Sequence, residues 1–234
     1  MPFLNRFIKL MKDELFTNKD KKKSFSWVID ENKCLRSEEV KKLRRAANRA
    51  RNFGLLHRKF APIRNWFMIE LGLNAGLRVE EMASLKHANL LIDKNRSSIL
   101  VTGKGNKKRS VWINLDFNIT CQRYISYKKE FGYTAFPEDY LLNNLKGNKI
   151  SKRALQKFFK NIVKEAGLPE HYYIHCLRHT YSTFLLLASN NNYRFVQQQL
   201  GHASIKTTQV YASVIESKGR EALEGLYRQR KGAL

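Results

Sequence analysis

Four short segments of the sequence hold polar residue types that could bind an anion and exchange protons. In chain order, the side chains of interest are Arg78, Lys104, His175, Arg178, His179, His202 and Tyr211. A guanidinium offers paired donors and a permanent charge to anionic oxygens. Histidine and lysine can act as acids or bases, and a tyrosine hydroxyl can act as a nucleophile. Whether these residue types work together depends on the elements that position them.

Each segment has an ordinary structural explanation when it is taken alone. Arg78 follows a Gly-Leu pair at a predicted helix junction, where an arginine usually lies on the surface. Lys104 stands between two glycines in a tight turn, and turn chemistry alone accounts for that pattern. His175 and Arg178 are three positions apart, so a helix places them on one face. The fourth segment is Leu-Gly-His, which ends at His202 and is followed nine positions later by Tyr211. A lone histidine or tyrosine of this kind more often packs in the fold than takes part in catalysis. A functional interpretation therefore depends on all four segments occurring together.

The charge of the chain points to a polyanionic partner. It contains 44 lysines and arginines against 20 aspartates and glutamates, a formal net charge of +24. Nucleic acid is the commonest partner of such proteins. Ribosome-associated proteins, RNA enzymes and membrane-surface binders carry similar charge, so composition indicates a class of partner and no reaction.

Cysteine usage and hydropathy indicate the compartment. The three cysteines, Cys34, Cys121 and Cys176, are scattered and show no Cys-x-x-Cys spacing, so neither a zinc site nor a disulfide framework is predicted. We find no signal peptide and no stretch of about 20 apolar residues that would span a membrane. We therefore expect a soluble cytoplasmic protein, which would be associated with the nucleoid if its polyanionic partner is DNA.

The four segments lie in or next to predicted secondary structure that is mostly helical. Helical patterns are predicted from Ser37 as an N-cap, from Pro62 to Gly76, and at Val79–Leu85, Asp116–Phe131, Ser151–Ala166, His175–Ala188, Tyr193–Leu200 and Glu216–Tyr227. Strands at Ser98–Thr102 and Ser110–Ile113 flank a turn at Gly103–Lys107. The predicted fold class is α+β, mainly α-helical with one small antiparallel sheet.

Together, in this order, the segments resemble the motifs of the tyrosine recombinase (phage integrase) family. The marks are Gly-Leu-Arg with a glutamate three residues on, a Gly-Lys-Gly hairpin, a His-x-Leu-Arg-His box, and Leu-Gly-His followed by a tyrosine. The resemblance covers about residues 36–228. It implies a catalytic domain over 36–234, with a C-terminal helix from about residue 216, preceded by a basic arm, short helix and linker over 1–35.

The resemblance implies an enzyme that cuts and rejoins DNA through a covalent 3′-phosphotyrosine bond, so as to integrate, excise or invert a segment. Tyr211 would attack phosphorus and release a 5′-hydroxyl. A phenol has a pKa of about 10, so it needs a cationic setting or a base to react near neutrality. His175 would be that base or a proton relay, and Lys104 the general acid for the 5′-oxygen.

The same resemblance assigns the residues that hold the phosphate. Arg78 and Arg178 would bind its nonbridging oxygens, and His202 would donate a hydrogen bond to it. Glu81 would support the site as a carboxylate, and His179 would lie behind the reacting groups. Fixed cations replace a metal in such a site, and the phosphotyrosine bond retains the energy for rejoining, so neither a metal nor a nucleotide cofactor is expected.

Duplex DNA is the expected partner. Its contacts are predicted on the first helix, where solvation alone is the alternative, and on the hairpin: Lys41, Lys42, Arg44, Arg45, Arg49, Arg51, Lys107, Lys108 and Arg109. Strand exchange would take a homotetramer on paired DNA sites. The C-terminal helix would pack into a neighbouring protomer or, alternatively, on its own domain. An accessory DNA-binding protein is a further expected partner, and a membrane is not.

The sequence departs from typical members at its beginning. Some 35 residues precede the motif region, where typical members have a separate DNA-clamping domain. The chain therefore resembles the short members of the family. Alternatively, it is a fragment or a compact integrase of a mobile element. Three other interpretations stay open: a catalytically silent DNA-binding relative, a type IB topoisomerase, and an RNA-binding protein, which would explain the charge but none of the motifs.

Overall fold

A computed structural model describes residues 33–93 and 96–201 of the chain, with the side chain of Lys104 excluded. Its α-helices are α1 Ser37–Leu56, α2 Phe60–Ala75, α3 Val79–Ser84, α4 Leu115–Glu130, α5 Lys152–Glu165, α6 His175–Ala188 and α7 Tyr193–Leu200. Its strands are β1 Leu90–Leu91, β2 Ser98–Thr102 and β3 Lys108–Trp112. The predicted fold class, mainly helical with one small antiparallel sheet, is confirmed. The predicted N-terminal helix and the helix at Glu216–Tyr227 lie outside the described residues.

Four helix starts differ from the sequence prediction. Those of α4 and α5, at Leu115 and Lys152, differ by one residue each. The N-cap of α1 is Arg36 and not Ser37. The Arg36 N–H donates a hydrogen bond of 2.7 Å to the carboxylate of Glu39 in the first turn, which fixes the start of the helix there. Pro62 lies in the first turn of α2, two residues after the helix begins. Proline is tolerated there because the first N–H groups of a helix have no partner within it.

Helix α2 forms the centre of the core. It packs against α1, α4, α5 and α6, and Ile63, Phe67, Ile69 and Leu71 on it are fully buried. The ring of Phe67 stacks on that of Tyr124 from α4, with centroids 3.9 Å apart and an interplanar angle of 4°. Burial of each such side chain stabilises the fold by about 1.5–3 kcal/mol. This packing holds in place the helix ends that carry the motifs.

The sheet has the order β1-β2-β3 and is antiparallel throughout. Side chains alternate between its two faces, as the strand geometry requires. Val101 is opposite Arg109, and both turn towards the interior, whereas the neighbouring Lys108 is exposed opposite Thr102. Strand β3 begins two residues earlier than predicted.

Along residues 33–93 and 96–201, no helix combines the length and the apolar character that a membrane crossing requires.

Candidate active site

The first motif forms the junction between α2 and α3. Gly76 ends α2 in the left-handed conformation, with φ of 58°. Arg78 is the N-cap of α3, and its N–H donates to Glu81 Oε2 at 2.8 Å. This is the arrangement in which an acidic residue in the first turn folds back onto the cap. It turns the Glu81 carboxylate towards the arginine that precedes the helix.

Glu81 lies at the centre of a cluster of three arginines. Its Oε1 accepts hydrogen bonds from Arg78 Nη1 at 3.1 Å and Arg109 Nη1 at 2.8 Å. Its Oε2 accepts one from Arg109 Nη2 at 2.9 Å and lies 3.9 Å from Arg178 Nη1. Burial raises the pKa of Glu81, but the hydrogen bonds from Arg109 and Arg78 and the charges of Arg109 and Arg178 outweigh burial and lower it overall. The carboxylate is therefore ionised at neutral pH and organises the three cations.

Arg178 connects the first, third and fourth motifs. Its side chain is 9% exposed. Nη1 donates to the main-chain oxygen of Gly76 at 2.7 Å, and Nη2 donates to that of Leu200 at 2.8 Å. Both acceptors lie at helix C-termini, where carbonyl groups lack helical partners and favour cations. Arg178 is thus held in one orientation, while the Arg78 side chain remains 42% exposed.

His175 and His179 lie one turn apart on α6. Burial lowers the pKa of His175, the charges of Arg178 and Arg78 lower it further, and Glu80 acts in the opposite direction. Burial, then His175 and Arg178, lower the pKa of His179. Both imidazoles are therefore largely neutral at pH 7. Because His175 and Arg178 lie three positions apart on α6, they share one face of that helix, as the spacing predicts.

The hairpin motif approaches the same cluster through its backbone. A Cβ placed on Gly103 would lie 3.8 Å from Glu81 Oε1 and 3.7 Å from Arg109 Nη1. Lys104, the next residue, begins a short 3₁₀ turn whose Gly105 has φ of 72°. The backbone of Lys104 therefore starts beside the arginine cluster.

The fourth motif is only partly within the described residues. Helix α7 ends at Leu200, and Gly201 follows in the left-handed conformation with φ of 65°. His202 and Tyr211 lie outside the described residues. Their predicted roles stay predictions.

Arg109 is placed differently from the other cations predicted to contact DNA. Lys107 and Lys108 are exposed on the hairpin, but the Arg109 side chain is 13% exposed and is bound to Glu81. In the sequence these three residues differ little, because all three are cations of one basic run. The alternation of side chains along β3 distinguishes them, since it turns Arg109 inwards with Val111.

The six cations of α1 separate into two groups. Lys41 pairs with Glu38 at 2.7 Å and Arg44 with Glu70 at 3.1 Å, and the Arg51 guanidinium lies 4.9 Å from the centre of the Trp66 ring. Arg49 donates to the main-chain oxygen of Glu165 at 3.4 Å.

Lys42 and Arg45 form the second group. Both are exposed, and neither has an ion pair or hydrogen bond to a residue within the described ranges.

Cys176 packs in the core, as predicted. It is 2% exposed, and burial raises the pKa of its thiol. Although it lies between two motif residues in sequence, the helix turns it away from their face.

Comparison with known proteins finds similarity to tyrosine recombinases. The XerC tyrosine recombinase of Caldanaerobacter subterraneus subsp. tengcongensis is 34% identical over 161 residues, covering 68% of this chain and 44% of the relative. The XerD tyrosine recombinase of Listeria monocytogenes is 29% identical over 198 residues, covering 84% of this chain and 62% of the relative. A post-cleavage complex of the XerH site-specific recombinase with palindromic difH substrate superposes with a TM-score of 0.65 at 26% identity, covering 81% of this chain and 52% of that one.

The predicted recombinase fold is confirmed by this superposition. The chain spans between 44% and 62% of the length of these relatives. Residues 33–218 match the phage integrase family, which is most of the sequence and includes all four motifs. The chain belongs to the phage integrase family.

Proposed function

We propose that the chain is a tyrosine recombinase that cleaves and rejoins duplex DNA, with residues 36–234 as its catalytic domain. The observation that carries this proposal is the arginine cluster. Three motifs separated widely in sequence bring Arg78 and Arg178 to one carboxylate, beside His175 and the start of the Lys104 turn. Such a group of fixed cations suits the negative charge that builds up on phosphorus in phosphoryl transfer.

The proposed reaction forms one bond and breaks one bond at phosphorus. The Tyr211 oxygen attacks, the phosphorus–O5′ bond breaks, and a 3′-phosphotyrosine remains. His175 takes the phenolic proton, and Lys104 supplies a proton to the leaving 5′-oxygen. The lowered pKa of His175 supports its role, because a base must be neutral to accept a proton near pH 7. The free 5′-hydroxyl of another strand reverses the step and rejoins the DNA.

The phosphate is bound by Arg78 and Arg178, with a hydrogen bond from His202. The exposed fraction of Arg78 supports a direct contact, since a guanidinium can present two parallel donors to a phosphate. Arg178 is positioned by its bonds to Gly76 and Leu200. Glu81 holds the arginines together and oriented, and His179, one turn after His175 on α6, lies behind the reacting groups in this proposal.

DNA is the proposed substrate and partner. The formal charge of +24 and the exposed cations of α1 and the hairpin support binding along phosphates. Strand exchange between two sites requires four protomers, so a homotetramer on paired DNA is part of the proposal.

Covalent trapping tests the proposal. The protein is incubated, without metal or ATP, with nicked suicide substrates made from the DNA that flanks its own gene. Wild type and Tyr211→Phe are then compared on a denaturing gel. We expect a shifted protein–DNA band in wild type that is absent in the variant. Tight, specific duplex binding without a band across the flanking sites would instead support a catalytically silent DNA-binding relative.

A further inference from the structure

Arg109 and Lys108 are neighbours in the chain but have opposite surroundings. Lys108 is exposed at the outer face of the hairpin, whereas the Arg109 side chain is 13% exposed on the inner face. Strand alternation accounts for the difference. The two residues therefore form a natural comparison between a cation that faces solvent and one that faces the site.

Both oxygens of Glu81 are bound by Arg109. The two parallel bonds, at 2.8 and 2.9 Å, form the paired geometry that is the strongest between a guanidinium and a carboxylate. Arg78 makes a longer side-chain contact, at 3.1 Å, and Arg178 lies 3.9 Å away. Arg109 is thus the main charge partner of Glu81, so the carboxylate offsets less of the positive charge on the two arginines proposed to bind phosphate.

Arg109 also contacts the C-terminal end of α7. Its Nε donates to the main-chain oxygen of Gln199 at 3.2 Å. The Gln199 side chain, 3% exposed, accepts the Trp112 N–H of β3 at 3.0 Å. A Cβ on Gly201 would lie 2.5 Å from Arg109 Cδ, so the chain passes directly over the guanidinium stem. These contacts fasten the end of α7, from which the chain continues to His202.

We infer that Arg109 is a positioning residue for the phosphoryl transfer, and that it does not bind DNA. It balances the charge of Glu81 and fixes the end of α7, so that Arg78, Arg178 and the segment that leads to His202 keep their relative positions. This inference rests on the proposed function.

The test separates positioning from DNA contact. Arg109→Met and Arg109→Lys are compared with Lys108→Met and with Arg123→Met, which removes an exposed arginine of α4. Three quantities are measured: the salt dependence of duplex binding, the single-turnover rate of covalent complex formation at saturating protein, and hydrogen exchange in residues 193–200.

We expect Arg109→Met to lower the covalent rate by about a hundredfold, as small misplacements of reacting groups do. The affinity for duplex DNA should stay at the wild-type value, and so should the salt slope, which is the slope of log affinity against log salt concentration. Amide hydrogen exchange in α7 should accelerate. Arg109→Lys keeps the charge but loses the paired geometry, so its rate should fall between those of Arg109→Met and wild type. Lys108→Met should reduce the magnitude of the salt slope by the amount that corresponds to about one phosphate contact. Arg123→Met should form the covalent complex at the wild-type rate.

Two results would overturn the inference. The first is a salt slope that decreases as much in Arg109→Met as in Lys108→Met. That result would show that Arg109 binds a DNA phosphate. The other is an unchanged covalent rate together with unchanged exchange in α7. If Arg109→Met does not fold, Arg109→Lys decides by the same criteria. If wild type forms no covalent complex, the proposed function fails, and exchange in α7 still decides whether Arg109 holds that helix end.

Discussion

Arg178 Nη1 donates a hydrogen bond of 2.7 Å to the main-chain oxygen of Gly76, so two motifs 102 positions apart are in direct contact. Gly76 presents that oxygen because it ends α2 in a left-handed conformation. The contact converts two separate sequence patterns into one site. Its consequences for stability, protonation and DNA binding can be measured.

The Glu81 carboxylate should stabilise the fold in a pH-dependent way. Removing one member of a buried ion pair costs about 3–5 kcal/mol, so Glu81→Gln should lower the free energy of unfolding by that order at pH 7. Because the folded-state pKa of Glu81 is lowered, its contribution is full above the ordinary glutamate pKa of about 4.3 and is lost as pH falls further. Urea unfolding at pH 7 and pH 3 measures the difference, which should narrow at pH 3. An equal difference at both pH values would contradict this prediction.

The pKa of His175 should respond in opposite directions to two charge removals. Arg78→Met removes a positive charge that lowers the pKa of His175, so the pKa should rise. Glu80→Gln removes a negative charge that raises it, so the pKa should fall. NMR titration of the imidazole proton resonances follows both variants. If the pKa of His175 moves in the same direction in both variants, a change in the burial of the imidazole determines the pKa more than these two charges do.

Gly76 should tolerate no side chain. A Cβ there would lie 2.2 Å from Tyr181 Cδ1, and φ is 58°. The left-handed conformation costs about 1–2 kcal/mol and overpacking about 1–3 kcal/mol more. Gly132 also has positive φ, but a Cβ added there would meet nothing within 4 Å, so Gly132→Ala is the control for conformation alone. Thermal unfolding should show Gly76→Ala to be the less stable variant; equal losses would mean that Tyr181 moves aside.

The cations of α1 should contribute unequally to DNA binding. Lys42→Ala with Arg45→Ala removes two exposed charges and should reduce the salt slope of duplex binding by about two phosphate contacts. Arg44→Ala with Arg51→Ala removes two charges that contact Glu70 and Trp66, so the slope should change less. Fluorescence anisotropy at several salt concentrations measures both. Equal slopes would show that DNA draws Arg44 and Arg51 away from their partners.

Lys128 should make stability rise with pH in alkaline solution. It is 1% exposed, and its Nζ lies 3.0 Å from His87 Nε2 and donates to the main-chain oxygen of Tyr140 at 2.7 Å. Burial lowers the pKa of Lys128 to about 8, although the charge of Asp139 opposes this. The unfolded lysine has a pKa of about 10.4, so between about pH 8 and 10 the unfolded chain binds more protons and folding gains stability.

Lys128→Met should flatten that rise, whereas Lys129→Met, which changes the exposed neighbouring residue, should leave it as in wild type. Urea unfolding from pH 7 to pH 10 provides the measurement. A parallel pH dependence in wild type and Lys128→Met would mean that the buried lysine keeps its ordinary pKa. The same variant should raise the pKa of His87, which burial and then the charge of Lys128 lower to about 4.

The local elements and the motifs could be predicted from the order of the residues. Helices α6 and α7 have the predicted bounds, because apolar spacing and the breaks at their ends are local signals. The i, i+3 spacing placed His175 and Arg178 on one face for the same reason. Four motifs in order identified the family, since each depends on residue type and order alone.

Which charges belong to the site could not be predicted from the sequence, because it depends on packing. Arg109 looked like one cation of a basic hairpin, and strand pairing turns it inwards to Glu81, 28 positions away. The cations of α1 look alike in sequence, but Glu70, Trp66 and the main chain at Glu165 engage three of them. Contacts between residues far apart in sequence depend on how helices and strands pack, and no local pattern encodes them. For this chain, residue types indicate the chemistry, and packing assigns each charge its partner.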